Sequence, residues 1–326
     1  MKVELSTRVG DVRLVSPILT AAGTSGYGDE LAGYGDLRKL GAVVTKSLAS
    51  FAWPGNPAPR VSSSGVHMLN SVGLAGPGVE VWRREYLPAL EGRDVSVVGS
   101  IWGRTIEEFA DAARAMKGAG LVALEVNASC PNLESRSAMF AHSASATRAV
   151  VEASREAALP LWVKLSPNTP DLVAIAAAAL DAGATGLVLV NTVLGLSVDI
   201  ESRSASLGNG GGGVSGPGIL PVALRAVWEC REAFASAPIV GVGGVATGED
   251  AVAMLMAGAN ALEVGTASFA NPRAPWRVLS GLERWIPSLD RSIYRPSIVL
   301  GALALFLNSR ADVRRSPLLS FNPLPF

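Results

Sequence analysis

Histidine and cysteine are both scarce in this chain of 326 residues, with two of each: His67, His142, Cys130 and Cys230. Two histidines cannot build a multi-histidine metal site. Two cysteines make no disulfide framework and fit a reducing cytoplasm. Charge of either sign is not in excess, since Lys plus Arg and Asp plus Glu each number 28, and nothing in the balance suggests a nucleic-acid surface. The opening Met-Lys-Val-Glu-Leu lacks the apolar core of a signal peptide. The longest late apolar stretch, 298–307, falls short of the ~20 residues that cross a bilayer. It reads as a helix packed on the body or at a subunit contact. No Gly-x-Gly-x-x-Gly follows the first apolar run, which counts against an open doubly wound sheet.

What is present is a regular alternation. Hydrophobic residues make up 49% and charged residues only 17%, the balance of a protein with a substantial core. Short apolar runs predict strands at 18–22, 42–45, 95–100, 121–127, 161–165, 186–191, 239–242 and 261–264. Alanine-rich segments predict helices at 30–40, 105–118, 144–157, 171–182, 221–234 and 249–257, several stopping at a glycine such as Gly41, Gly183 or Gly258. Eight strands in this rhythm predict a closed (β/α)8, or TIM, barrel over 1–285, with a C-terminal helix and tail at 286–326. Two long excursions, 46–94 and 192–220, leave from the C-terminal ends of strands, where such barrels place their chemistry.

Strand ends two, four, five and six each deliver a chemical group: Lys46, the segment Asn-Ala-Ser-Cys-Pro-Asn at 127–132, Lys164, and Asn191-Thr192. Lysines at these places either snorkel to water or face an anionic ligand, and two of them converging with several amides favour the ligand. Gly-Val-Gly-Gly at 241–244 and Gly265-Thr266 follow strands seven and eight, the usual place for a backbone phosphate cradle. The run 210–218 is linker-like in composition, but its place after strand six favours a loop lying over the ligand. As a metal ligand Cys130 lacks partners, which leaves two readings. It is a buried apolar side chain, the usual fate of a free cysteine, or an acid/base group or nucleophile whose thiol, near ~8.5 when unperturbed, is shifted down enough to accept a proton. Cys230 reads as helix packing.

Taken together these segments resemble the dihydroorotate dehydrogenase family. The marks are Pro-Gly-Asn-Pro-Ala-Pro-Arg at 54–60, Asn-Ser-Val-Gly-Leu at 70–74, the hexapeptide at 127–132, Val-Lys-Leu-Ser-Pro-Asn at 163–168, Val-Asn-Thr at 190–192, Gly-Val-Ser-Gly-Pro at 213–217 and the two glycine clusters. Cysteine rather than serine at 130 is similar to the class 1 enzymes, and Val-Asp-Ile-Glu-Ser-Arg at 198–203 to subclass 1B. The resemblance implies FMN as cofactor, dihydroorotate as substrate and Cys130 as the catalytic base. It implies substrate contacts from Lys46, Asn70, Ser71, Val72, Gly73, Leu74, Asn127, Asn132, Asn191 and Thr192. It implies flavin contacts from Ala22, Gly23, Lys46, Ser47, Ser100, Asn127, Lys164, Val190, Gly216, Gly243, Gly244, Gly265 and Thr266. It further implies an iron–sulfur, FAD-carrying electron-transfer partner, and a homodimer or dimer-based heterotetramer.

The sequence departs from the family in places. Ser100 stands where many members have asparagine, Ala22 where serine is frequent, and Gly76 where an asparagine usually follows Asn-x-x-Gly-Leu. The segment 133–141, a substrate lid in the family, lacks the usual glycines. These changes leave open a flavin oxidoreductase acting on another dihydropyrimidine or cyclic substrate, and a catalytically silent flavin-binding subunit.

Overall fold

In a computed structural model the chain is described over residues 4–129 and 139–286. Eight parallel strands form the central sheet: β1 Ile18–Thr20, β2 Val43–Val44, β3 Val97–Ile101, β4 Ala123–Asn127, β5 Leu161–Leu165, β6 Gly186–Leu189, β7 Ile239–Val242 and β8 Ala261–Val264. They pair in sequence order, β8 returns to β1, and a parallel bridge from Leu19 to Ala42 joins β1 to β2. The sheet is therefore a closed barrel, as the alternation predicts.

These strands are apolar on both faces because both are covered. Inward-facing Leu19, Val44, Val98, Ala123, Trp162, Val188, Val240 and Ala261 fill the lower barrel, and Val9, Val12 and Leu14 of an N-terminal hairpin pack against them. Outward-facing Ile18, Val97, Leu124, Val163, Leu187, Ile239 and Leu262 pack with helix residues such as Phe109, Met116, Val150 and Ile175. The helices are α1 Val79–Glu85, α2 Leu87–Glu91, α3 Ile106–Met116, α4 Ala144–Ser154, α5 Leu172–Asp181, α6 Leu220–Ala233, α7 Gly248–Met256, α8 Ala267–Ala270 and α9 Ala274–Trp285. Thr105, Ser143, Asp171 and Thr247 accept hydrogen bonds from the first turns of α3, α4, α5 and α7, each cap contributing about 1 kcal/mol.

The structure differs from the expectation at three places. Segment 30–40 is two 3-10 turns, Glu30–Gly33 and Leu37–Lys39, rather than one helix. Gly33 and Gly35 weaken a helix there, and Asp36 starts a new turn by accepting from the Arg38 N–H. Gly183 and Gly258 do end helices with φ of +103° and +116°, but Gly41 caps none. Its glycine is required because a Cβ would strike the Ser16 carbonyl. Finally, the glycine run after β6 is largely strand, not loop. Gly212–Ser215 lies between Val193–Gly195 and His67–Asn70, and Val61–Ser64 completes this antiparallel four-stranded sheet. A Cβ at Gly212 would meet the Asn70 carbonyl, and one at Gly213 the Thr192 side chain, so only glycine lets these strands pair. Cys130, Asn132, the rest of 130–138, and 287–326 lie outside the described residues.

Candidate active site

At the C-terminal ends of the strands is a cavity of about 700 Å³, with Val61, Met68, Asn70 and Ser215 of the four-stranded sheet on its wall. Strand ends supply the remainder: Ala22 and Gly23 after β1, Lys46 and Ser47 after β2, Asn127 and Lys164 on β4 and β5, Val190, Asn191 and Thr192 after β6.

One end of the cavity is rich in amides and carries a cation. Lys46 Nζ donates to the Ala75 carbonyl at 2.5 Å and sits 5.2 Å from the Tyr27 ring centre. Burial, then the nearby Arg60, holds its pKa below the ordinary lysine value, so a ligand carboxylate would find a cation with few competing partners. Burial beside Tyr86 and Glu30 pushes the Tyr27 phenol up to about 12. Tyr27 Oη therefore stays protonated and donates to the same carbonyl at 2.7 Å. Asn127 Nδ2 donates to Ser47 Oγ at 3.1 Å, and Asn127 Oδ1 accepts from Ser129 Oγ at 3.1 Å. Asn191 Nδ2 donates to Ser129 Oγ at 3.0 Å, and Asn70 Nδ2 to the Gly213 carbonyl at 3.3 Å. The amides are thus fixed by neighbours, while Val72, Gly73 and Leu74 add to the wall.

The other end is built of turns. Gly216, Gly243 and Gly244 have φ of +98°, +128° and +78°. A Cβ at Gly244 would lie 2.6 Å from the Leu220 nitrogen, and one at Gly216 2.7 Å from the Val66 carbonyl. The backbone N–H groups of Gly243, Gly244, Gly265 and Thr266 have no acceptor among the described residues. A concave patch of free donors is what an anionic group such as a phosphate requires.

Beneath the cavity the barrel interior is charged. Lys164 Nζ lies 3.0 Å from Glu263 Oε2 and 3.4 Å from Glu125 Oε1. Glu125 and Glu263 are wholly buried. Side-chain alternation explains the meeting: Glu125 lies two residues along from inward-facing Ala123, Lys164 from Trp162, and Glu263 from Ala261, so all three point into the barrel. Burial pulls the Lys164 pKa down, but the two glutamates outweigh it and leave it raised. Ser100 Oγ lies 3.3 Å from Glu125 Oε1 and 2.8 Å from Ser47 Oγ. A chain of hydrogen bonds therefore runs from Asn191 through Ser129, Asn127, Ser47 and Ser100 to the buried acids.

A family model described as dihydroorotate dehydrogenase matches residues 4–286. The chain belongs to the dihydroorotate dehydrogenase family. Among its relatives is the dihydroorotate dehydrogenase B (NAD(+)) catalytic subunit of Solidesulfovibrio magneticus, 42% identical over 92% of this chain and all of that protein. Proteins of the same name from Alkaliphilus metalliredigens and Desulforudis audaxviator are 43% and 44% identical, over 87% and 88% of this chain and 94% of each of theirs.

Set against the residues that the dihydroorotate dehydrogenase resemblance implies, most of the described ones meet at this one cavity. Two do not reach its wall. Ser71 is buried behind it, where its Oγ accepts from Asn56 and Asn209, and Ser100 is buried behind Ser47. Cys130 and Asn132 lie outside the described residues. Cys230 is buried in α6, and burial pushes its thiol up to about 12, which fits packing. Sequence reading passed over Glu125, Glu263 and Asn168. The signal for the acids was available: each is a lone charge inside an apolar strand at an inward position, and such a charge requires a partner. Asn168 carried no such signal, because its role depends on the fold of the β6 excursion. Its Nδ2 donates to the Thr192 carbonyl at 3.0 Å and its Oδ1 accepts from the Leu194 N–H at 2.9 Å.

Proposed function

We propose that this chain is a catalytic subunit that oxidises (S)-dihydroorotate to orotate with FMN as cofactor, in pyrimidine biosynthesis. The observation that carries the reading is the joining, in one cavity, of a cation-and-amide end to a glycine cradle, with Lys164 between strand ends on its wall. The cradle fits FMN, because its free N–H donors suit a phosphate and its glycines leave no room for a Cβ. Gly216, Gly243, Gly244, Gly265 and Thr266 would hold the phosphate end, and Ala22, Gly23, Ser47 and Val190 would line the ring. When bound, FMN supplies the two-electron acceptor that takes the hydride from C6 of the substrate.

The chain's own residues supply position and electrostatics. Lys46 pairs with the substrate carboxylate. Asn70, Asn127, Asn132 and Asn191 hold the ring, since an amide both donates to carbonyls and accepts from ring N–H groups. Cys130 takes the proton from C5 as general base. Lys164 places a fixed cation against the flavin site, so charge developing there during reduction is met by a preorganised partner. The relatives' name, a catalytic subunit of an NAD(+)-linked enzyme, supports a partner subunit, in this reading an iron–sulfur flavoprotein that passes electrons onward. No helix among the described residues is long and apolar enough to cross a membrane.

Anaerobic addition of dihydroorotate to the purified protein tests this reading. A yellow protein that is bleached supports it. A protein without yellow cofactor sinks the flavin assignment, and a yellow protein that stays yellow sinks the substrate. In Cys130→Ala, bound FMN is retained and the bleaching rate falls by roughly 100-fold or more at neutral pH. Bleaching at the full rate would remove Cys130 from the mechanism.

A further inference from the structure

Glu125, Lys164 and Glu263 form a cluster whose formal charges do not balance. Two carboxyl groups surround one ammonium, and both acids are 0% exposed while Lys164 is 5% exposed. Each acid gives one oxygen to Lys164 Nζ, at 3.0 Å from Glu263 and 3.4 Å from Glu125. The second oxygen of each, Glu125 Oε2 and Glu263 Oε1, is buried without a hydrogen-bond donor. Around them the same barrel face carries Ala123, Trp162, Val188, Val242 and Ala261, none of which brings a second cation. Two orphaned carboxylate oxygens in an apolar interior are costly, and two like charges in one dry site do not both ionise readily.

We propose that Glu125 and Glu263 share a single proton beside Lys164, so that the cluster consists of one ammonium, one carboxylate and one neutral carboxyl. The charge lies on Glu125, whose Oε1 receives both Lys164 and the Ser100 hydroxyl. The proton lies on Glu263, which has Lys164 alone. Burial and then the Glu125 charge raise Glu263 well above the ordinary glutamate range. The two glutamates are positioning residues. They hold Nζ at the cavity wall, and the shared proton keeps the cluster at net zero. A cluster of net charge −1 would oppose electron transfer into the cavity; a neutral one does not.

The consequence for reduction rests on the flavin reading above, whereas the shared proton does not, and the two arms of the test separate them. The first arm is infrared spectroscopy of apo protein at about pH 8, where ordinary carboxyl groups near ~4 are ionised. The expected result is a neutral carboxylic-acid carbonyl band that shifts in D2O and is lost in Glu263→Gln, where Glu125 alone pairs with Lys164. A wild-type spectrum without that band overturns the proposal whether or not the variant folds. The second arm is a redox titration of bound FMN. The oxidised-to-reduced equilibrium in Glu263→Gln stays within fivefold of wild type, because the glutamine replaces a neutral group. A larger shift in either direction overturns the proposal, since removing an ionised carboxylate from beside the cofactor would move the equilibrium toward reduced flavin. A colourless protein fails the flavin reading and leaves the infrared arm intact.

Discussion

Lys46 and Lys164 both stand at strand ends, yet their surroundings move them in opposite directions, and each direction has a measurable consequence. Burial and then Arg60 lower the Lys46 pKa, so its ammonium is lost at a pH below the ordinary lysine value of about 10.4. Affinity for the carboxylate product orotate therefore falls as pH climbs through that lowered value, and is full below it. Flavin absorbance titrations with orotate between about pH 7 and pH 10 check this. Lys46→Met weakens binding roughly tenfold or more at the lower pH, the loss of about 1.4 kcal/mol, and flattens the profile. The same profile in that variant would remove Lys46 from the carboxylate. The Glu263 pKa is shifted the other way. Its raised folded pKa, from burial and then Glu125, means that the folded protein keeps a proton the unfolded chain releases above about 4.3. Stability is fully present below that value and declines as pH rises toward the folded pKa. Glu263→Gln lacks this decline. Urea unfolding should show the variant gaining on wild type from about pH 5 to pH 8, and a constant difference would mean Glu263 is ionised.

Short connections between elements shape the substrate end more than the barrel strands do. Asn168, just beyond β5, donates to the Thr192 carbonyl and to Ser166 Oγ and accepts from the Leu194 N–H. It thereby ties the start of the β6 excursion to the end of β5. Each such bond contributes about 1 kcal/mol, so Asn168→Ala should raise KM for dihydroorotate about tenfold while kcat and FMN content change little. An unchanged KM would show that Asn191 and Thr192 hold their places without it. Most elements were legible in the sequence because barrel strands are continuous apolar runs and their helices carry side-chain caps. β5, β7 and β8 begin and end where the apolar runs do. The four-stranded sheet over the mouth was not legible. Its strands are short, and Gly212 and Gly213 carry linker composition while serving close backbone approach. The strand-end lysines and amides were legible as chemistry because polar groups interrupt apolar runs there. Glu125 and Glu263 were absorbed into the strand reading, since the meeting of side chains from three strands inside the barrel is a property of the fold that no single segment displays.

At the scale of the whole molecule, the lower barrel is filled by Trp162 and its apolar neighbours and plugged by the N-terminal hairpin, so the cavity lies among the strand ends. A ligand held there would meet residues at the ends of β1, β2, β4, β5, β6, β7 and β8, and its binding would therefore be coupled to the integrity of the closed barrel rather than to one loop. Binding to the folded state alone stabilises by about 2.7 kcal/mol at a hundredfold excess over Kd. In a protein of this size that corresponds to a rise in Tm of roughly 4 °C. Adding FMN to flavin-stripped protein should produce that rise in a calorimetric scan. Gly244→Ala should abolish it, because Gly244 holds φ at +78° and a methyl group there would lie 2.6 Å from the Leu220 nitrogen, forcing the cradle apart. The apo form of the variant separates the two effects of the substitution. A lowered apo Tm reports strain at the turn, whereas a normal FMN-dependent rise above that baseline would show that the phosphate is held elsewhere than on the β7 and β8 turns.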